Sequence, residues 1–432
     1  MEGLIYALGV VVFAVGVLVS IALHEVGHML PAKKFGVKVT QYFVGFGKTV
    51  WSVRRGETEY GIKAAPLGGF VRLIGMYPPH PGDEPTAVRQ SNTGLFTQLI
   101  SDARTSEYEQ VDPGDEDRLF YRKPWWQKLI VMAGGPLVNV GIALVLFAIA
   151  FILIGAQMPT TTVNAVSECA IPADRNDQTC QPGDPKTPAN KAGLRPGDQV
   201  VAFDGEQVGS WDELTELIRA NGGEKATIVL DRDGREITKT VETVVSVRPS
   251  LDEPDEYTEV GFLGISPTSE HQRQDIGFVL TTMGDYTVAT GEAILHLPQK
   301  MVEVADAAFG GVREQDSPMS VVGAGRVAGE MVTIDDTTWT DRSFRLLTLI
   351  AAVNLFIALF NFIPLLPLDG GHIAGALYEA ARRGLAKVFR RPDPGYVDVA
   401  KMLPVAYVVG GLLLVMGVLL IYADIVNPVT LT

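Results

Sequence analysis

Cysteine is almost missing from this chain: 432 residues contain two, Cys169 and Cys180. With no His or further Cys beside them, they exclude a thiolate zinc cluster and a disulfide-dense scaffold. Histidine is scarce as well, at six residues, so any metal site must draw on few imidazoles. Basic residues are in deficit, 36 Lys and Arg against 50 Asp and Glu, for a net charge of -14. That balance excludes nucleic acid as a partner, because phosphate binding needs clustered Lys and Arg. Internal repeats are absent, which argues against a transporter built from paired halves.

Apolar sequence is abundant. Hydrophobic residues make up 47% and charged residues 20%, and the mean hydropathy is +0.19. Four stretches, Leu4 to Leu23, Leu129 to Ile154, Phe344 to Ile363 and Met402 to Tyr422, are each apolar for roughly 20 residues, the length that crosses ~30 Å of hydrocarbon. Met1-Glu2-Gly3 supplies no basic flank and no small-residue cleavage pattern follows, so the first stretch reads as a span rather than a signal peptide.

Lys and Arg favour the cytoplasmic ends of spans. Lys33, Lys34 and Lys38 follow the first span, Arg122, Lys123 and Lys128 precede the second, and Arg382, Arg383, Lys387, Arg390 and Arg391 separate the third from the fourth. Both of these loops are therefore expected in the cytoplasm. The acidic segment from about Gln157 to Asp341 and both termini are expected outside, with the lipid bilayer as an obligatory partner. Cys169 and Cys180 then face an oxidising compartment, where a disulfide closing a short loop is expected; the alternative is a pair of free thiols.

The predicted fold class is a polytopic α-helical membrane protein of four transmembrane helices. It carries a membrane-associated β-hairpin or sheet on the cytoplasmic side and an extracytoplasmic α+β domain. The expected divisions are 1–35, the first span; 36–77, the β region; 78–120, a flexible cytoplasmic insertion; 121–156, the second span; 157–268, the α+β domain; 269–342, an outward helical region; 343–373, the third span; 374–401, a cytoplasmic loop; and 402–432, the fourth span and tail. In the α+β domain, strands over Gln199 to Phe203, Ala226 to Leu230 and Ile237 to Val245 flank a helix over Trp211 to Ala220.

The chemistry is concentrated in His24-Glu25-Val26-Gly27-His28 at the end of the first span. On a helix, positions i and i+4 share a face, so both imidazoles can bind one Zn²⁺ while Glu25 sits beside a water on the metal as its general base. A chance string near a helix end is the bland alternative, but two His and a Glu are costly at the edge of an apolar span unless they perform a task. Catalytic zinc takes three protein ligands and one open position. With the remaining His mostly in polar or outward segments, a carboxylate is the better third ligand, and Asp369 stands in Pro364-Leu365-Leu366-Pro367-Leu368-Asp369-Gly370-Gly371-His372 at the same expected membrane depth. Pro364 and Pro367 break a regular helix there. His372 reads as a partner behind the ligands rather than a fourth one. Asn361 and Asn354 share a helix face; Asn361 is expected to hydrogen-bond substrate, and Asn354 to join helices.

These motifs resemble those of the site-2 protease family of intramembrane metalloproteases, in its bacterial branch with a PDZ domain. The resemblance rests on the His24 to His28 motif with Ala32-Lys33-Lys34-Phe35-Gly36-Val37, on Gly45-Phe46-Gly47, on Pro66-Leu67-Gly68-Gly69-Phe70-Val71, on Ala133-Gly134-Gly135-Pro136-Leu137-Val138-Asn139 and on Leu368-Asp369-Gly370-Gly371. It implies that His24, His28 and Asp369 hold zinc, that Glu25 activates water, and that Asn361 and Gly45, Phe46 and Gly47 serve the substrate. A strand from the Val39 to Val71 region would pair with the unwound substrate. Pro188-Ala189-Asn190-Lys191-Ala192-Gly193-Leu194 through Val200 resembles a PDZ domain, which in this family acts as a size filter.

The implied activity is regulated intramembrane proteolysis in a bacterial plasma membrane. Its substrates would be single-pass proteins, anti-sigma factors or remnant signal peptides. The rival reading, a catalytically silent PDZ-containing membrane adaptor, would not need Glu25, His24, His28 and Asp369 together.

Overall fold

The computed structural model describes residues 2–79, 94–109, 111–171, 175, 179–251, 256–334 and 337–430. The chain divides into two units, residues 1–154 with 274–432, and residues 155–273.

In the first unit, α1 (Glu2–Lys34) carries no charged side chain between Glu2 and Glu25, so the apolar run and the His motif share one helix. Its 33 residues extend about 50 Å at 1.5 Å per residue. Strands β1 (Val39–Arg55) and β2 (Thr58–Leu73) meet at a turn on Gly56. Register shifts fold this pair into a small sheet, in which residues 41–44 lie between 59–62 on one side and 69–72 on the other. The far hairpin exposes Val50, Trp51 and Ile62.

Residues 78–120 were expected to be flexible insertion, and the structure corrects part of that stretch. Helix α2 (Leu95–Tyr108) buries Ser101, Arg104 and Tyr108, and two single-turn 3₁₀ helices follow. The segment's acidity misleads because its charges are answered from elsewhere. Lys38 reaches Asp112 at 2.6 Å and Asp115 at 2.5 Å, Arg118 reaches Glu57 at 2.6 Å, and Arg104 reaches Asp398 at 2.7 Å. His80 and its neighbours through residue 93 lie outside the described residues.

Helix α3 (Trp125–Ala148) continues through a π turn to Ile154. After the second unit come α6 (Ile276–Ala308), α7 (Val321–Met331), α8 (Trp339–Asn361), α9 (Asp369–Val388) and α10 (Leu403–Val426). By length and composition, four helices of the described residues can cross a membrane: Glu2–Lys34, Trp125–Ile154, Trp339–Asn361 and Val399–Val426. Phe13 and Val17 of α1 pack with Ile350 of α8 and Leu146 of α3. The expected break around Pro364 and Pro367 separates α8 from α9. The expected loop 374–401 is corrected, since α9 occupies it as far as Val388. Its basic residues suggested a loop, but the helix turns Ala376 and Glu379 inward.

The second unit holds β3 (Ala156–Val166), α4 (Pro188–Ala192), β4 (Gln199–Phe203), β5 (Glu206–Gln207), α5 (Trp211–Ala220), β6 (Lys225–Arg232), β7 (Arg235–Glu242), β8 (Val244–Pro249), β9 (Tyr257–Phe262) and β10 (Ile265–Gln272). Its main sheet runs β10-β3-β4-β6-β7, with β5 beside β4, and β8 pairs with β9 apart from it. Alternate residues Ala226, Ile228 and Leu230 point into a core with Phe203 and Leu214. Ser210 and Glu213 form a capping box that starts α5.

The strand expected over Ile237 to Val245 is broken at Thr243. That residue donates to Asn221 Oδ1 at 2.7 Å and accepts from Gly223 N at 3.0 Å, which pins the chain as it leaves the sheet for β8. Gly261 and Phe262 end β9, and Ile265 opens the edge strand β10. Gly264, at φ +87°, makes the corner, where a Cβ would strike Thr187. Cys169 and Cys180 are disulfide-bonded.

Candidate metal centre

The i, i+4 spacing of His24 and His28 brings their Nε2 atoms to 3.2 Å of each other. Asp369, the first residue of α9, points Oδ2 at both, 3.2 Å from His24 and 3.3 Å from His28. Among the described residues these are the His, Cys, Asp and Glu side chains whose ligand atoms cluster closely enough to hold an ion.

The far side of each ring is engaged by α3. His28 Nδ1 lies 2.8 Å from the Val131 carbonyl and His24 Nδ1 lies 3.1 Å from Asn139 Oδ1. Both partners are acceptors, so each Nδ1 carries the proton and each Nε2 presents a lone pair. Three lone-pair atoms then face one another in a buried space, and Asp369 Oδ2 has no hydrogen-bond donor there. Unanswered, that arrangement is repulsive. A cation answers it: with ligand bonds of 2.0–2.2 Å, a tetrahedral zinc ion spaces its ligand atoms about 3.3 Å apart.

Small residues of α3 make room for this. Gly134 crosses Gly27 backbone to backbone, and a Cβ on Gly135 would collide with Nε2 of both histidines. Asn139, Val131 and the Gly134-Gly135 pair received no individual role from the sequence, although a polar Asn and two glycines inside an apolar span were the available signal.

The three candidate ligands open into a cavity of 640 Å³ that Glu25 and Asn361 also line. Glu25 is buried beside β2, where a Cβ on Gly69 would meet its Cγ. His372 lines the cavity outside the three-atom cluster. Asn354, fully buried, donates to Ile350 O at 2.8 Å within its own helix and is not part of the lining.

Gly45, Phe46 and Gly47 are not on the cavity wall either. The wall is residues 68–73 of β2, against which Phe46 stacks through Phe70. Segment 69–72 pairs with 41–44 on one side only. Among the described residues no other strand pairs with it.

Outside the spans, Glu107 of α2 reaches the same cavity. Burial pushes its carboxyl up to about 7, against a smaller lowering by the Met76 amide.

Comparison with known proteins follows the same lines. A match to Peptidase family M50 spans residues 12–391. Zinc metalloprotease Rip1 of Mycobacterium tuberculosis H37Rv is 36% identical, with 99% of this chain and 100% of that one aligned. Its namesake from Mycolicibacterium smegmatis is 32% identical over the same shares. Metalloprotease MmpA of Caulobacter vibrioides is 27% identical, with 90% of this chain and 91% of that one covered.

Proposed function

The chain belongs to peptidase family M50, and from that premise we propose that it is an intramembrane zinc endopeptidase that cuts single-pass membrane proteins. The observation that carries the reading is the meeting of His24, His28 and Asp369 lone pairs at 3.2–3.3 Å, from two helices separated by more than 300 residues of chain.

His24, His28 and Asp369 hold the zinc. When bound, it supplies Lewis acidity that makes water a nucleophile near neutral pH. Glu25 takes the proton of the attacking water and returns it to the departing amide nitrogen. The open edge of residues 69–72 accepts the extended substrate as an added strand, with Phe46 of the Gly45-Phe46-Gly47 segment stacked on Phe70 of that wall. Asn361, which lines the same cavity, hydrogen-bonds the substrate carbonyl.

The Lys and Arg flanking the spans support an orientation with the site toward the cytoplasm and both termini outside, and a bacterial plasma membrane is the membrane proposed. Residues 155–273 act as a PDZ-type filter for substrates already shortened outside. Anti-sigma factors and remnant signal peptides are the substrate classes.

The test is reconstitution in detergent or lipid with candidate single-pass proteins. Cleavage by the wild type should stop with a zinc chelator and with Glu25→Ala, while that variant keeps its zinc. Biological activity retained by Glu25→Ala would instead favour the silent adaptor.

A further inference from the structure

Lys128 of α3 and Glu379 of α9, neither of them in the cavity lining, form an ion pair at 2.7 Å, with side chains 9% and 2% exposed. Tyr396 lies over the Lys128 ammonium at 5.1 Å, and Arg383 flanks the second carboxylate oxygen at 3.2 Å. Withdrawing two charges from water costs several kcal/mol per ion, so such a pair is poor as a source of stability. Its placement suggests a different use. Lys128 stands one turn before Val131, whose carbonyl orients His28, on the helix whose Asn139 orients His24. Glu379 stands ten residues along the helix that Asp369 begins, about 15 Å away. The pair thus ties the helix that orients two ligands to the helix that supplies the third. Between them the face of α9 from His372 through Gly375 and Ala376 encloses only 20 Å³ of space. A shift at Glu379 is therefore carried along a closely packed face.

We propose that Lys128 and Glu379 are positioning residues that set the distance from Asp369 to His24 and His28. The proposal rests on the zinc reading above.

Zinc retention against a competing chelator is measured for the purified full chain, beside thermal unfolding and the kcat and KM of a cleaved substrate. Lys128→Met and Glu379→Gln should each lose retention about tenfold, the range of partners that orient metal ligands. Their kcat should fall while KM holds. The apolar pair Lys128→Met with Glu379→Leu removes both buried charges of the pair, so it should return to within about threefold of the wild type, Arg383 keeping Asp393 as its partner at 3.6 Å. Lys128→Arg should stay near the wild type.

A folded single variant that keeps zinc within twofold overturns the proposal, as does a folded double variant no better than the singles. If the singles do not fold, the folded double variant decides alone: a tenfold loss overturns. A wild type that binds no zinc overturns the protease reading and this inference together, whereas zinc held equally by all variants overturns this inference alone.

Discussion

Asp198, in the unit of residues 155–273, and Asp369, at the start of α9, are both largely withdrawn from water, yet they are surrounded in opposite ways. Asp198 accepts from Arg232 Nε at 2.6 Å and Nη2 at 2.8 Å and from the Arg195 amide at 2.8 Å. Burial alone would raise its pKa, but these donors hold it below the ordinary carboxylate value. Every lone pair that matters is spent inside the fold. Asp369 instead aims an oxygen without a hydrogen-bond donor at two imidazole lone pairs. A carboxylate with its donors supplied closes a loop; one aimed at other acceptors calls for a cation. Burial of an acidic group is common to both, and only the identity of its neighbours separates scaffold from site.

The strongest way to break this contrast is at Asp369 itself. Asp369→Ala should remove zinc and peptide-bond cleavage together, while far-ultraviolet circular dichroism stays unchanged. Retained zinc would mean that the three atoms are an ordinary polar contact. Next in size, Gly135→Ala places a methyl against both Nε2 atoms, and zinc content should fall nearly as far although no ligand is altered. Asn139→Ala removes only the acceptor behind His24, and zinc affinity should drop about 10- to 100-fold by competition titration. On the other side of the contrast, Asp198→Ala should lower the melting of the 155–273 unit by about 5 °C and leave zinc content alone.

The smallest effect sharpens the contrast through pH. Asp198 has its folded-state pKa depressed below 3.8, so its contribution is present above that value and is lost as pH falls through the folded pKa. Glu107 has the opposite sign. Its pKa rises from 4.5 to about 7, so its protonated form fits the fold; the contribution is complete below 4.5 and lost as pH rises toward 7. Glu107→Gln keeps the acceptor for the Met76 amide and should flatten that part of a melting-temperature profile between pH 4.5 and 7.

Much of the second unit was readable because each element there obeys a local rule. The boundaries of α5 and β4 match the expected ones, since an amphipathic repeat with a Ser210 cap and an alternating strand announce themselves within a few residues. The break that ends β7 was not readable, because Thr243 acts through Asn221, across the fold. Helices α2 and α9 were missed for a related reason. Charge-rich sequence resembles loop until its partners are known, and Arg104, Lys128 and Glu379 find theirs hundreds of residues away.

The amino-acid sequence alone determined the apolar spans and the pairing of His24 with His28, because helix period and hydrocarbon thickness act over twenty residues or fewer. Tertiary structure alone decided that Asp369 reaches them, that Val131 and Asn139 set which nitrogen of each ring faces inward, and that Gly135 leaves space between. These depend on how α1, α3 and α9 cross, and a crossing is fixed by packing between distant segments, which no local pattern of residues encodes.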